Sequence, residues 1–141
     1  VTPEQAVLER VLDIAAVAAL IGTRGYLLKL PQGPTLPAVR VQLIDEAGNM
    51  HLRGAGGPYR SRVQVDAFAH EASGGDPYAG VTAVAEAIHG DGSGTGLAGW
   101  KGGSAALTIT GAVRIDRMVT YEPDELRLVR VRQDYMVWWT G

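Results

Sequence analysis

The stretch Gly94-Thr95-Gly96-Leu97-Ala98-Gly99 has the spacing that most directly suggests chemistry. Glycines at its first, third and sixth places are those that let a backbone approach the pyrophosphate of a dinucleotide. That chemistry also needs the glycines to follow a strand and open a helix, so that the phosphates meet a helix N-terminus. Here they follow a helix-period segment and precede a strand-period one, so no cofactor is expected. Lys101 is followed by Gly102, without Walker spacing. His51, His70 and His89 are scattered, with no pair four residues apart to present two ring nitrogens to one metal. Ser61, Ser73, Ser93 and Ser104 include no Gly-x-Ser-x-Gly elbow, and the neighbours Asp45 and Glu46 point to opposite faces of any strand, a poor acid/base pair. The absence of cysteine removes thiolate chemistry and fits a reducing compartment. These residues argue against an enzyme.

Two groups point to surfaces instead. Arg127, Arg130 and Arg132 could form a phosphate-binding strip, but Arg130 and Arg132 alternate onto the same strand face as Asp134, as Arg62 does with Asp66. Cross-strand charge pairing on a solvated sheet face is the expected outcome. Trp100, set among glycines that cannot pack it, has two open fates: to plug back onto the sheet or to anchor into another chain. The candidate interface residues are therefore Leu97, Trp100 and Lys101 in the glycine-rich segment. Met50, His51 and Arg53, in the long connection 45–58, complete the set.

The elements that must position these residues read as follows. Thr2 as N-cap, Pro3 at the first helical position and Gln5 three residues after the cap start a helix. Its apolar stripe runs through Val7, Leu8, Val11, Leu12, Ala15 and Ala18 until Gly22 stops it. Glu9, Arg10 and Asp13 fall on the solvated side. Strands are expected at Tyr26 to Leu30, at Pro37 to Ile44, and over Arg60 to Ala69, where Val63, Val65, Ala67 and Ala69 alternate with Arg62, Gln64 and Asp66. Asp45 to Pro58, rich in glycine, reads as a long connection. Asp76-Pro77 starts a second helix ending near Gly90. Seven of the 19 glycines, in a chain where about 7% is ordinary, fall between Gly90 and Gly103 and predict one long mobile loop. Two strands follow, Ala106 to Met118 and Leu126 to Trp138. The expected fold is α+β: a mainly antiparallel sheet of about five strands with two helices on one face, in the order α-β-β-β-α-β-β.

At 141 residues and 46% hydrophobic content, the chain is expected to form a single domain over 1–141 with a real core. A net charge of -2 gives no general attraction to nucleic acid. The apolar run Ile14 to Ile21 is eight residues long and preceded by Glu4, Glu9, Arg10 and Asp13, too short and too charged at its entry to span a membrane.

Several ordered blocks carry a resemblance over nearly the whole chain. They are Leu30-Pro31-Gln32-Gly33 with Leu36-Pro37-Ala38-Val39, then Arg62-Val63-Gln64-Val65-Asp66, then Leu97-Ala98-Gly99-Trp100-Lys101-Gly102, then Tyr121-Glu122-Pro123, and finally Asp134-Tyr135-Met136-Val137-Trp138. In order and spacing the chain resembles the tail completion, or tail terminator, proteins of long-tailed phages and phage-like particles, gene transfer agents included. The resemblance implies a virion structural protein without catalytic residues or cofactor. It implies a ring, typically of six copies, assembled in the bacterial cytoplasm and placed at the head-tail interface. Its implied partners are itself, the tail tube protein and the head connector or stopper, with DNA passing through the hole and no membrane involved. The alternative from a different class is a small-ligand-binding or enzymatic α+β domain using the glycine-rich segment as a lid.

Overall fold

The computed structural model describes residues 1–33, 35–51, 54–70, 76–104, 106–122 and 128–141. Helix α1 spans Pro3–Asp13, and its start is a complete capping box. Thr2 Oγ1 accepts from the Gln5 backbone N–H at 3.3 Å and Gln5 Oε1 accepts from the Thr2 N–H at 2.8 Å. The expected single helix is broken: Ile14 takes an extended conformation, and α2 (Ala15–Ile21) starts after it. Ile14 at the break, with Val17 and Ile21 on α2, is buried in the core. Helix α3, Pro77–His89, is capped by Asp76, whose Oδ1 accepts from the Tyr78 N–H at 3.0 Å.

Six strands form one sheet: β1 (Gly25–Leu27), β2 (Ala38–His51), β3 (Gly54–His70), β4 (Gly102–Ser104), β5 (Leu107–Glu122) and β6 (Leu128–Thr140), in the order β1-β2-β3-β6-β5-β4. All neighbours are antiparallel except β1, which runs parallel to β2. The α+β class stands as expected, with one more strand and one more helix than the sequence pattern suggests. The extra strand, β4, lies inside the glycine-rich segment, where no side-chain alternation could announce it. The larger correction concerns 45–58. The described parts of that stretch are strand, not connection, because β2 and β3 keep pairing past Asp45↔Arg62 to His51↔Gly54 with register shifts after Leu43 and Ala47. Backbone hydrogen bonds carry a hairpin through glycines that a side-chain pattern reads as a loop.

All three helices lie on one face, over Val39, Val41, Val63, Val65, Val131, Tyr135 and Val137, every one fully buried. Among the described residues no helix lies on the opposite face, yet Asp66 and Asp134 on it are also fully buried. Arginines cover them. Arg62 Nε and Nη2 donate to Asp134 Oδ2 at 3.0 and 2.6 Å, and Arg132 reaches the same carboxylate at 3.1 Å through both Nε and Nη2. Asp66 accepts from Arg40 and, at 2.7 Å, from Gln64 Nε2. Cross-strand charge pairing is thus present, Arg62 to Asp134 and Arg40 to Asp66, but differs from the expectation in one way: the carboxylates are covered, not solvated. The cause is length, since an arginine stem can lie across a sheet face and roof a short aspartate.

Burial pushes the Asp134 pKa up, but hydrogen bonds from Arg132 and Arg62 outweigh it, and the net shift is below the ordinary value. A depressed carboxylate stabilises fully above its unfolded pKa, about 4, and loses that contribution as pH falls through the folded value. Denaturant melts should therefore show Asp134→Ala costing about 1 to 3 kcal/mol at neutral pH, because the arginines left without a partner are partly solvated. Asp134→Asn should in addition flatten the decline of stability below about pH 4.

Candidate interaction surfaces

The glycine-rich segment between α3 and β4 is fastened to the body of the protein. The Leu97 and Ala98 N–H groups donate to the Ile88 and His89 carbonyls at 2.7 and 3.2 Å, and the Gly99 N–H donates to Ala112 on β5 at 2.8 Å. Gly90 and Gly96 pack backbone on backbone; a Cβ on Gly96 would sit 2.6 Å from the His89 carbonyl oxygen. Gly99 has φ +78°, in the left-handed region. Close approach and turn geometry thus account for the glycines of the apparent dinucleotide motif. Hydrogen bonds from Ser93, then Thr95, lower the Asp91 pKa to about 2, and they too are internal to the turn.

Of the two fates open to Trp100, the chain shows the first. Leu97 is fully buried and Trp100 is 8% exposed, both within the hydrophobic core. This burial runs against the expectation of a mobile loop presenting Leu97 and Trp100 as anchors. Lys101 remains exposed at the segment's end. Arg53, Arg127 and Ser73 lie outside the described residues, as do the side chains of Met50 and His51.

Arg10, expected on the solvated side of α1, is what holds the segment. Its Nη2 donates to the carbonyls of Gly94 at 2.7 Å and of Thr95 and Gly96 at 3.3 Å, and its guanidinium lies 5.8 Å from the Trp100 ring centre. No local spacing could reveal a contact 84 residues away in sequence.

Beneath α3 runs a buried polar chain. Tyr135 Oη donates to Gln133 Oε1 at 3.3 Å, which also accepts from Arg114 Nη1 at 3.0 Å, while Gln133 Nε2 donates to the Ala85 carbonyl at 3.1 Å. His89 Nδ1 lies 2.9 Å from Tyr135 Oη, so the imidazole extends the same chain. Burial, then the positive charge of Arg114, lowers the His89 pKa, and burial raises that of Tyr135. Both shifts favour the neutral forms of these groups. Among the described residues no cluster of three His, Asp or Glu side chains could hold a metal, and no helix is long and apolar enough to cross a membrane.

A family model described as tail completion protein gp17 matches residues 5–140. The chain belongs to the tail completion protein gp17 family. The fold agrees: a chain in the virion of a native gene transfer agent particle superposes with a TM-score of 0.72 at 20% identity, covering 99% of this chain and 95% of that one. Comparison with the curated proteins found no match. This tail completion protein is a phage-type structural tail protein; of the blocks read from its sequence, Arg62 to Asp66 lies on β3, Asp134 to Trp138 on β6, and Leu97 to Gly102 in the segment that Arg10 holds.

Trp100→Ala should lower the monomer's stability by about 3 to 5 kcal/mol, the usual cost of removing a large buried aromatic, seen as a lower melting temperature. Arg10→Met should cost less, about 1 to 2 kcal/mol, by leaving three carbonyls without their charged donor.

Proposed function

We propose that this tail completion protein forms a closed ring at the head-proximal end of the tail tube, stops the tube's growth and joins it to the head connector, with DNA passing through the hole. The family match over nearly the whole chain carries this reading. Physical features support it. A net charge of -2 suits a passage that must not retain DNA, since a basic tunnel would hold phosphates by counterion release. Lys101, Met50, His51 and Arg53 are the proposed contacts to the tube and the connector; of these, Met50 and His51 lie at the end of β2 and Lys101 just before β4, outside the helical layer.

Heterologous contacts that close give cyclic assemblies, and six copies of a 14.9 kDa chain make a ring of about 89 kDa. Copy number measured in purified particles should be six; a single copy or an open filament would rule the ring out. Particles made without the protein should contain DNA-filled heads and unjoined tails of irregular length by electron microscopy. No isosteric change at a lone Asp, Glu, His or Ser that preserves assembly should reproduce that defect.

A further inference from the structure

The sheet has two free edges. Beyond β2 the short β1 pairs only with Val39 to Val41, and the Leu28 N–H adds one bond to the Val41 carbonyl. Beyond β5, β4 pairs only with Leu107 to Ile109, and Gly99 bonds Ala112. Among the described residues nothing pairs with Gln42 to Gly48 on one side or Val113 to Val119 on the other. Exposed apolar side chains stand on these edges: Ile44 at 40% on β2, and Val113 at 53%, Ile115 at 44% and Met118 at 46% on β5. Long sheet edges with exposed apolar side chains are templates for pairing with another chain, and the charges on them select which chain.

We propose that these two edges pair with each other between successive copies, β2 of one against β5 of the next, so that one continuous sheet runs around the ring. This rests on the ring reading and names its contact surface. Three features of the edges carry it. The first is direction. Three antiparallel steps separate β2 from β5, so the two outer strands run in opposite senses, and translation around a ring sets them side by side as an antiparallel pair.

The second is charge. Glu46 lies on the helix-covered face of β2, opposite Ser61, which donates to Glu46 Oε1 at 3.2 Å and itself accepts from Trp139 Nε1 at 2.9 Å. On the same face of β5, Arg114 and Arg117 line a cleft of about 290 Å³ with Glu86 and His89. Sheet continuation keeps faces aligned, so a held carboxylate meets two guanidinium groups.

The third is stagger. The chain's own registers place Val113 level with Asp45, so the free part of β2 extends one way along the strands and that of β5 the other. Full pairing slides each copy along the strand direction, the shear that closing a tilted sheet requires.

The chain has no cysteine, so engineered pairs report cleanly. Ile44→Cys combined in turn with Val113→Cys, Ile115→Cys and Met118→Cys brackets the register. On oxidation of purified particles, at least one pair should give a covalent ladder ending at the ring number, while each single variant stays uncrosslinked. Separately, Glu46→Arg and Arg117→Glu should each lower incorporation into particles about tenfold, and the double reversal should restore it. Particles with the full copy number but no ladder from any pair and no effect of the reversals overturn the edge pairing and leave the ring standing. A covalent dimer from Ile115→Cys alone overturns it in favour of two-fold β5 contacts. A single copy per particle removes the ring, and this contact with it.

Discussion

A sheet covered by helices on only one side has to close its other face with its own side chains. In this chain Asp66 and Asp134, with no helix above them, are fully buried because Arg40, Arg62 and Arg132 lie across them from three different strands. The ion pairs do more than balance charge. Arg40 reaches from β2 to Asp66 on β3 and Arg62 from β3 to Asp134 on β6, while Arg132 holds Asp134 along β6 itself, so the roof ties β2, β3 and β6 together on the face the helices do not reach, and Arg40 lies 5.3 Å from the Phe68 ring. Desolvating such pairs is costly, and they persist because each carboxylate gains several donors at once. Their contribution is to specify which strands neighbour one another.

Much of this was legible in the sequence. The alternation from Arg62 to Ala69 sets the faces of β3 correctly, the capping residues Thr2, Pro3 and Gln5 start α1 where they should, and the ordered blocks point to the right family. What was hidden shares a physical cause. Local patterns report which side of an element is apolar, but not which distant group will arrive to satisfy a polar side chain. Arg10 is polar at a solvent-facing helical position and nevertheless finds three carbonyls far along the chain. The same limit applies to Trp100, whose neighbours in sequence cannot pack it but whose neighbours in space do.

Glycine misled in two opposite ways. Between Gly90 and Gly103 its density suggested entropy and motion, whereas the residues serve contacts that a Cβ would forbid, as where Gly96 meets the carbonyl of His89. Around Gly48 and Gly54 to Gly57 it suggested a connection, while the backbone continued as a paired hairpin. In both places the missing side chain removed the evidence of structure without removing the structure. A strand made of glycine has no alternation to read, and a turn made of glycine looks no different from a tether.

The two strands at the middle of the sheet are far apart in the chain: β3 pairs with β6 from Tyr59↔Trp139 to His70↔Leu128. The β2–β3 hairpin is local and can form early, but its β3 edge stays bare until the last strand has been made. The arginine roof over Asp134 is equally late, since Arg62 and Asp134 belong to those same two strands. Folding thus waits on a long loop closure, which places this protein among the slower topologies. During synthesis the chain presents a valine-rich strand with one unpaired side, and for that interval its solubility depends on the charges of Arg60, Arg62 and Asp66 alternating through the same strand.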